Sequence, residues 1–142
     1  MSMEVKVALV KGSGKLPTKG TPGSAGWDVY ASEGCVLAPG EWKKVDLGIR
    51  LEMPSHLCAL LIKRSGMAAT FGVCGQEGLI DSDYRGIVGM TLVNHSNQPY
   101  HVRVGERIGQ LLFLPRVHLQ LCRARTLQPT QRGVHGFGST GK

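Results

Sequence analysis

The sequence predicts a small all-β domain, a sandwich or a barrel, with at most one short helix. Apolar residues alternate with polar ones over several short stretches, and no stretch of about 11 to 18 residues keeps a helical period. Most of the 20 glycines and 7 prolines fall between these stretches, where they mark turns. Many short strands separated by turns are typical of sandwiches and barrels.

The predicted strands follow this alternation in chain order. Five of them cover residues 5–10, 57–62, 87–93, 100–104 and 107–114. Two further alternations place apolar residues on one face: Val45, Leu47, Ile49, Leu51 and Met53 in the first, and Val117, Leu119 and Leu121 in the second. Because successive side chains of a strand point to opposite faces of a sheet, these patterns predict half-buried strands.

The chain is predicted to form one domain over residues 1–127 and a glycine-rich arm over residues 128–142. One short helix is expected to begin near Ser65 and to carry Met67, Ala68 and Phe71. The arm has no apolar periodicity, and such a terminus is mobile unless something binds it. The 142 residues and 42% hydrophobic content suit a single globular domain.

Composition limits the compartment and the partners. No apolar run is long enough to cross a bilayer, and the N-terminus lacks a signal-peptide pattern, so we expect a soluble intracellular protein of cytoplasm or nucleus, without membrane contact. The four cysteines lack zinc-ligand spacing and are expected to be reduced thiols. The net charge of +7 favours an anionic partner. The sequence has no Lys/Arg-rich block with interleaved aromatic residues, so we expect no nucleic-acid surface.

Five polar or glycine-rich segments interrupt the apolar pattern and are the candidate site. They cover residues 25–31, 64–68, 78–86, 105–110 and 132–141. In the second, Arg64, Ser65 and Gly66 precede the predicted helix, where free N–H groups and a hydroxyl can bind a phosphate. Taken alone, Ser65 is better interpreted as a helix N-cap.

The third segment carries two carboxylates, Asp81 and Asp83. On a regular strand they would share a face, with Tyr84 on the other. A carboxylate beside a triphosphate can orient and deprotonate a water. The alternative is ordinary turn chemistry, since Asp-Ser-Asp followed by a glycine also suits a turn.

The last two segments and Asp28 have both functional and structural interpretations. Arg132 can bind phosphates and Phe137 can stack on a base, with Ser139 and Thr140 as donors, although composition alone favours a disordered terminus. Gln110 can reach a phosphate, whereas Arg107 is at least as well suited to a salt bridge. Asp28 can bind waters of a Mg²⁺ ion or tie down a turn.

The sequence lacks GxxxxGK[ST], which excludes a P-loop nucleotide hydrolase.

Taken together, the five segments resemble the motifs of the trimeric dUTPase family, in the family's order and approximate spacing, across residues 25–141. The resemblance implies a small jelly-roll-like β-barrel or sandwich, a homotrimer with a mobile C-terminal arm, and sites built from several subunits. It also implies hydrolysis of dUTP to dUMP and pyrophosphate, which limits uracil in DNA and supplies dUMP for dTMP synthesis.

The resemblance also assigns roles to residues. Asp81 would activate the attacking water, Tyr84 would pack on the deoxyribose, and Asp28 would help to fix the hydrated Mg²⁺. Uracil would lie in a hairpin before Asp81, where main-chain groups would read the base. The tail would close with Phe137 over the base and Arg132 on the terminal phosphates, and the remaining donors would hold the phosphate chain. The implied substrate-binding set is Arg64, Ser65, Gly66, Gly78, Leu79, Ile80, Tyr84, Gln110, Arg132, Phe137, Gly138, Ser139 and Thr140.

Four positions depart from the family's usual pattern: Lys63, Gln76, Glu77 and Gly109. None removes a reacting group, although Glu77 adds a negative charge near the expected base pocket. Two alternative functions remain open at this stage. One is a dCTP deaminase of the same fold, which would release ammonia, and the other is a non-catalytic descendant that binds signalling partners.

Overall fold

A computed structural model of the chain describes residues 3–10 and 12–138. The elements found there confirm the all-β prediction, with a single short helix in the described part of the chain. In order they are β1 (Lys6–Leu9), β2 (Trp27–Tyr30), β3 (Cys35–Leu37), β4 (Trp42–Asp46), β5 (Ile49–Glu52), β6 (Leu57–Ile62), α1 (Ser65–Phe71), β7 (Val73–Gly75), β8 (Gly78–Ile80), β9 (Gly89–Asn94), β10 (Tyr100–Val102) and β11 (Arg107–Pro115).

The strands pair in four antiparallel sheets around one core. The largest sheet has the order β2-β11-β6-β8, the second has the order β4-β9-β7, and two pairs, β1-β5 and β10-β3, complete the fold. Strand β8 ends the first sheet and β1 pairs with β5 alone. Within the described residues, each of these two strands therefore has one edge without a strand partner.

The longest predicted alternation builds the centre of the core. Its five apolar side chains, from Val45 to Met53, are all buried, with at most 5% of any of them exposed. The alternation nevertheless serves two sheets, because β4 ends at Asp46 and β5 begins at Ile49. Gly48 allows this break: its φ is 65°, and a Cβ there would collide with Gly14 and Ser32. The two-residue period of the apolar side chains therefore predicted which of them are buried, but not that the chain passes from one sheet to another.

Each of the five predicted strand ranges overlaps a strand whose ends lie within two residues of the prediction. The strands that were missed, β2, β3, β7 and β8, are only three or four residues long and are too short to show a period. The half-buried strand predicted at Val117, Leu119 and Leu121 does not form within the single chain. These side chains are 73%, 70% and 90% exposed, because no strand among the described residues lies beside them.

Helix α1 carries the predicted Met67, Ala68 and Phe71 and buries Met67 against the core. It ends at Gly72, which has a φ of 67° and donates its N–H to the carbonyl of Ala68 over 3.0 Å. The described part of the chain has no helix that is long and apolar enough to span a bilayer. Its cysteines Cys35, Cys58, Cys74 and Cys122 are all unbridged, as expected.

Candidate active site

A cavity of about 220 Å³ opens beside strand β8 and holds the central group of predicted site residues. Its wall includes Gly78, Leu79, Ile80, Asp81 and Tyr84. Strand β8 is the last strand of its sheet, so its outer main-chain groups have no strand partner among the described residues. Such an edge can donate and accept hydrogen bonds with a planar ligand, as it would with another strand.

Asp81 begins a turn directly after β8. The N–H of Tyr84 donates to the carbonyl of Asp81 over 3.2 Å, so Asp81 and Asp83 lie in a turn and not on a shared strand face. Arg85 fastens this turn by donating from Nη1 to the carbonyl of Ser82 over 2.7 Å. The turn places the exposed Asp81 on the cavity wall, while Asp83 is not part of that wall.

The ring of Tyr84 forms a flat side of the same cavity. Its hydroxyl donates to the carbonyl of Ile87 over 3.0 Å, which fixes the ring and uses its polar end. The ring lies against Gly86, where any Cβ would overlap it. Glycine at this position therefore lets the aromatic face of Tyr84 lie in the wall of the cavity.

The expected hairpin before Asp81 is wrong as a pairing. Strand β7 pairs with β9 and β8 pairs with β6, so the connection through Gln76 and Glu77 joins two sheets. Both of these residues are exposed and neither is part of the cavity wall. The negative charge of Glu77 therefore lies in solvent, outside the wall of the cavity, although the sequence suggested a place near the base pocket.

A second group of predicted residues meets where β2, β11 and the start of α1 come together. We call Asp28, Arg64, Arg107 and Gln110 the charged wall. Asp28 and Gln110 are cross-strand neighbours, and Nη1 of Arg107 lies 3.4 Å from Oδ2 of Asp28. Nη1 of Arg64 donates to the carbonyl of Arg107 over 3.1 Å. The salt-bridge interpretation of Arg107 is therefore confirmed.

Ser65 and Gly66 form the start of α1 beside this wall. The N-cap residue is Arg64, with extended backbone, and no side chain caps the helix, so the N-cap interpretation of Ser65 is wrong. A Cβ at Gly66 would meet nothing within 4 Å. The chain's own packing thus leaves open space at these residues, and the N–H groups of a first helical turn lack helical partners.

The tail does not close on its own chain. Nε of Arg132 donates to the carbonyl of His135 over 2.9 Å, within a local turn. The side chain of Phe137 is fully exposed, and its φ of 48° is uncommon for a residue other than glycine. Gly138 is the last described residue. The predicted residues Ser139 and Thr140 lie outside the described residues.

One chain therefore presents the predicted residues as three separate groups: the cavity, the charged wall and the tail. Strands β11 and β6 separate β2 from β8, so Asp28 lies about 14 Å from the cavity strand at about 4.8 Å per strand.

The described residues contain no cluster of three or more His, Cys, Asp or Glu that could hold a metal. The single carboxylate of Asp28 suits a Mg²⁺ ion that brings its own waters and phosphates.

Two features of the site depend on contacts between sheets, which the sequence does not show. Lys44 lies on the cavity wall, although it comes from β4, far from the five segments. The departure at Gly109 also has a physical reason, because a Cβ there would overlap the thioether of the buried Met90. A side chain from another sheet occupies the space that alanine would need, and only the packed structure reveals this.

The fold and the three groups define an all-β protein with a small cavity beside a carboxylate and donors that suit a polyphosphate. A family model described as dUTPase matches residues 13–141, and the chain belongs to this family. A deoxyuridine 5'-triphosphate nucleotidohydrolase of Anaeromyxobacter sp. (strain Fw109-5) is 43% identical over the full length of both chains. The enzyme of that name from Yarrowia lipolytica is 37% identical, over 98% of this chain and 90% of its own.

Solved structures share the fold at lower identity. The dUTPase of Staphylococcus bacteriophage 80alpha with dUPNHPP superimposes with a TM-score of 0.92, covers 98% of this chain and 99% of its own, and is 24% identical. A mutant dUTPase from phage phi11 of S. aureus, described with a structural Mg(II) ion, has a TM-score of 0.83 and 20% identity. It covers 88% of this chain and 99% of its own.

Proposed function

We propose that the protein is a dUTP pyrophosphatase, which splits dUTP into dUMP and pyrophosphate and so limits uracil in DNA and supplies dUMP. The observation that carries this proposal is the cavity beside β8, where Asp81 and Tyr84 lie on one wall with the main chain of residues 78–80. Family membership and full-length relatives with this activity support it. Nothing in the site favours an amine leaving group, so the deaminase alternative receives no support.

In the proposed complex, uracil lies against the outer edge of β8 and is read by main-chain groups of Gly78, Leu79 and Ile80. A strand edge offers donors and acceptors in a fixed order, which cytosine would meet with its own groups reversed. The face of Tyr84 packs on the deoxyribose, and its hydroxyl is already bonded to Ile87. A ribose 2'-hydroxyl against this apolar face would lose its hydration without gaining a partner.

The proposed base is the carboxylate of Asp81, which takes a proton from a water beside the α-phosphorus. The water oxygen forms the new bond to phosphorus, the bond to the bridging α–β oxygen breaks, and pyrophosphate leaves in line with the attack. The position of Asp81 at the start of a fastened turn supports this role, because a base must be held within hydrogen-bond reach of its water.

The phosphate chain is proposed to lie along the charged wall and the start of α1, where Arg64, Ser65, Gly66 and Gln110 donate to it. A hydrated Mg²⁺, held by the phosphates and by Asp28 through water, would stabilise the negative charge that develops on the phosphates. Hydrogen bonds from these protein donors to the charged phosphate oxygens are charge-assisted, and such bonds are about twice as strong as neutral ones. The open space at Gly66 supports close approach of a phosphate to the main chain.

The separation of the three groups supports a homotrimer whose sites are shared between copies. An apolar groove of about 500 Å³, which includes Val5, Val7, Trp27 and Phe113, runs beside β1. Residues 117–121 have the alternation of a strand but no strand partner among the described residues of their own chain. We propose that this segment of one copy adds to the free edge of β1 in another copy and fills its groove. Residues 128–142 then continue to a shared site, with Arg132 on the terminal phosphates and Phe137 over uracil.

Pyrophosphate release from dUTP, dTTP, dCTP and UTP, measured side by side with Mg²⁺, tests the proposal. Hydrolysis of dUTP alone is expected. Ammonia release from dCTP would instead support a deaminase, and inactivity towards all four would overturn the proposal. Light scattering of the same sample tests the assembly: an active species near the 15.3 kDa of one chain would contradict the trimer.

A further inference from the structure

Tyr100 and Glu106 form a hydrogen-bonded pair behind the charged wall, outside the groups described so far. The hydroxyl of Tyr100 donates to Oε1 of Glu106, and Oε2 of Glu106 accepts from the N–H of Arg103 over 3.0 Å. Both carboxylate oxygens are thus engaged. The side chain of Glu106 is fixed from two directions, by strand β10 and by the turn that follows it.

Glu106 is also fixed through its main chain. Its carbonyl accepts from the N–H of Ala31 over 2.8 Å, which ties it to the end of the segment that carries Asp28. The next residue, Arg107, pairs with Asp28 through its guanidinium and accepts from Arg64 through its carbonyl. Residues 106 and 107 therefore link the three segments that supply the charged wall.

Tyr100 extends this link to the helix. Its ring lies against that of Phe71, with centroids 5.4 Å apart and an interplanar angle of 51°, a tilted arrangement that aromatic pairs favour. Phe71 is the last residue of α1, and Ser65 is the first. Phe71 lies about 1.7 turns from Ser65. The ring of Tyr100, which is bonded to Glu106, therefore contacts the end of the helix opposite to the helix start.

We propose that Tyr100 and Glu106 are positioning residues for the polyphosphate: they set the distance between the start of α1, with Arg64 and Ser65, and the β2–β11 wall, with Asp28 and Gln110. The proposal rests on the proposed function. It predicts that the pair affects the outer phosphates and not the base or sugar, because no atom of either residue lies on the cavity wall.

The electrostatics of the pair suit such a role. Burial, the hydrogen bond to Glu106 and its negative charge together raise the pKa of Tyr100, so the hydroxyl stays a donor throughout the neutral range. The carboxylate of Glu106 accepts two hydrogen bonds close to Arg64 and Arg103. The guanidinium of Arg64 has five N–H donors, so its bond to the carbonyl of Arg107 leaves others available for phosphate binding.

The chain supplies a matched control in Glu41. Like Glu106, Glu41 accepts through Oε2 from the N–H three residues before it, that of Ala38, over 2.7 Å. Its own N–H likewise donates to the carbonyl of Ala38 over 2.9 Å, as that of Glu106 does to Arg103 over 3.1 Å. Glu41 thus closes the same kind of turn away from the charged wall, and Glu41→Ala removes the same local hydrogen bond.

The experiment compares Tyr100→Phe, Glu106→Ala, Glu106→Gln and Glu41→Ala for kcat, KM for dUTP, and binding of dUpNHpp and dUMP. For Glu106→Ala we expect weaker dUpNHpp binding and a higher KM by about tenfold, with dUMP binding within about twofold. Tyr100→Phe keeps the ring contact, so about threefold is expected. Glu106→Gln should restore near wild-type binding, because its amide can accept from Arg103 and donate to Tyr100.

Equal weakening of dUMP and dUpNHpp in the Tyr100 and Glu106 variants would overturn the inference, as would a Glu106→Ala enzyme that behaves like Glu41→Ala. If Glu106→Ala does not fold, Tyr100→Phe against Glu41→Ala decides the matter by the same ratio of the two affinities. The wild-type protein distinguishes the proposed function from the positioning role. Absence of dUTP hydrolysis by the wild type would contradict the proposed function. Normal hydrolysis by the wild type, with unchanged dUpNHpp binding in the Tyr100 and Glu106 variants, would contradict the positioning role alone.

Discussion

The cavity and the C-terminal arm differ in what they need from the rest of the molecule. The cavity is complete within one chain, because buried strands and a fastened turn hold Asp81 and Tyr84 in place. Residues 116–138 contain no helix or strand, and Val117, Leu119 and Phe137 are exposed. Under the proposed function, binding of the nucleoside would depend on the fold of a single chain, whereas closure over the ligand would depend on a second copy.

The largest expected effect lies in the cavity. Asp81→Asn should lower kcat at least about a hundredfold, because it removes the base while keeping the shape of the side chain. Binding of dUpNHpp and the thermal midpoint should change little. Asp83→Asn is the matched control from the same turn, outside the cavity wall, and should stay close to wild type. A loss of well under tenfold in Asp81→Asn would refute the assignment.

Removal of the tail tests the other side of the comparison. A chain that ends at Gln131 should stay a folded trimer and lose at least about tenfold in activity, since Arg132 and Phe137 each contribute about 1–3 kcal/mol. If these contacts strengthen as the site closes, both kcat and KM should change. Phe137→Ala against Val134→Ala, two exposed positions in the same tail, locates the effect. Normal kinetics after truncation would make the tail a plain terminus.

The proposed assembly depends on residues 117–121, the segment between these two regions. Leu119→Asp would place a charge in the apolar groove of the next copy and should shift light scattering towards the 15.3 kDa of one chain, with loss of activity. Gln120→Asp adds the same charge on the opposite face of the segment and should leave the trimer intact. Equal behaviour of the two variants would show that residues 117–121 do not add to β1 as a strand.

The smallest effect is expected at the exposed ion pair between Lys6 of β1 and Glu52 of β5. The hydrogen bond and charge of Lys6 lower the pKa of Glu52, and the same contacts raise the pKa of Lys6. The contribution of Glu52 to stability is therefore present above the ordinary glutamate pKa and lost as pH falls through the lowered value. That of Lys6 is lost only as pH rises through its raised value.

Glu52→Gln should lower the thermal midpoint near pH 7 by about one or two degrees, because exposed pairs stabilise little. At a pH below the lowered pKa of Glu52, the wild type and the variant should have equal midpoints. A difference that persists there would assign the effect to something other than this ion pair.

Some of the site could be predicted from residues alone because it is local. The turn chemistry after β8, the first turn of α1 and the alternation from Val45 to Met53 each depend on neighbours within a few positions. The hairpin before Asp81 failed because the choice of strand partner depends on the whole fold: β7 and β8 adjoin in sequence but lie in different sheets.

The sequence by itself determined the all-β class, the single short helix, the buried face of the central strands and the order of the five segments. These follow from side-chain period and backbone preference, which act over short distances. Only the tertiary structure decided which segments meet. Packing places Lys44 on the cavity wall and fills the space beside Gly109 with the side chain of Met90. It also links Tyr100, through Glu106, to the charged wall. Such contacts link residues far apart in the chain, so no local pattern carries them.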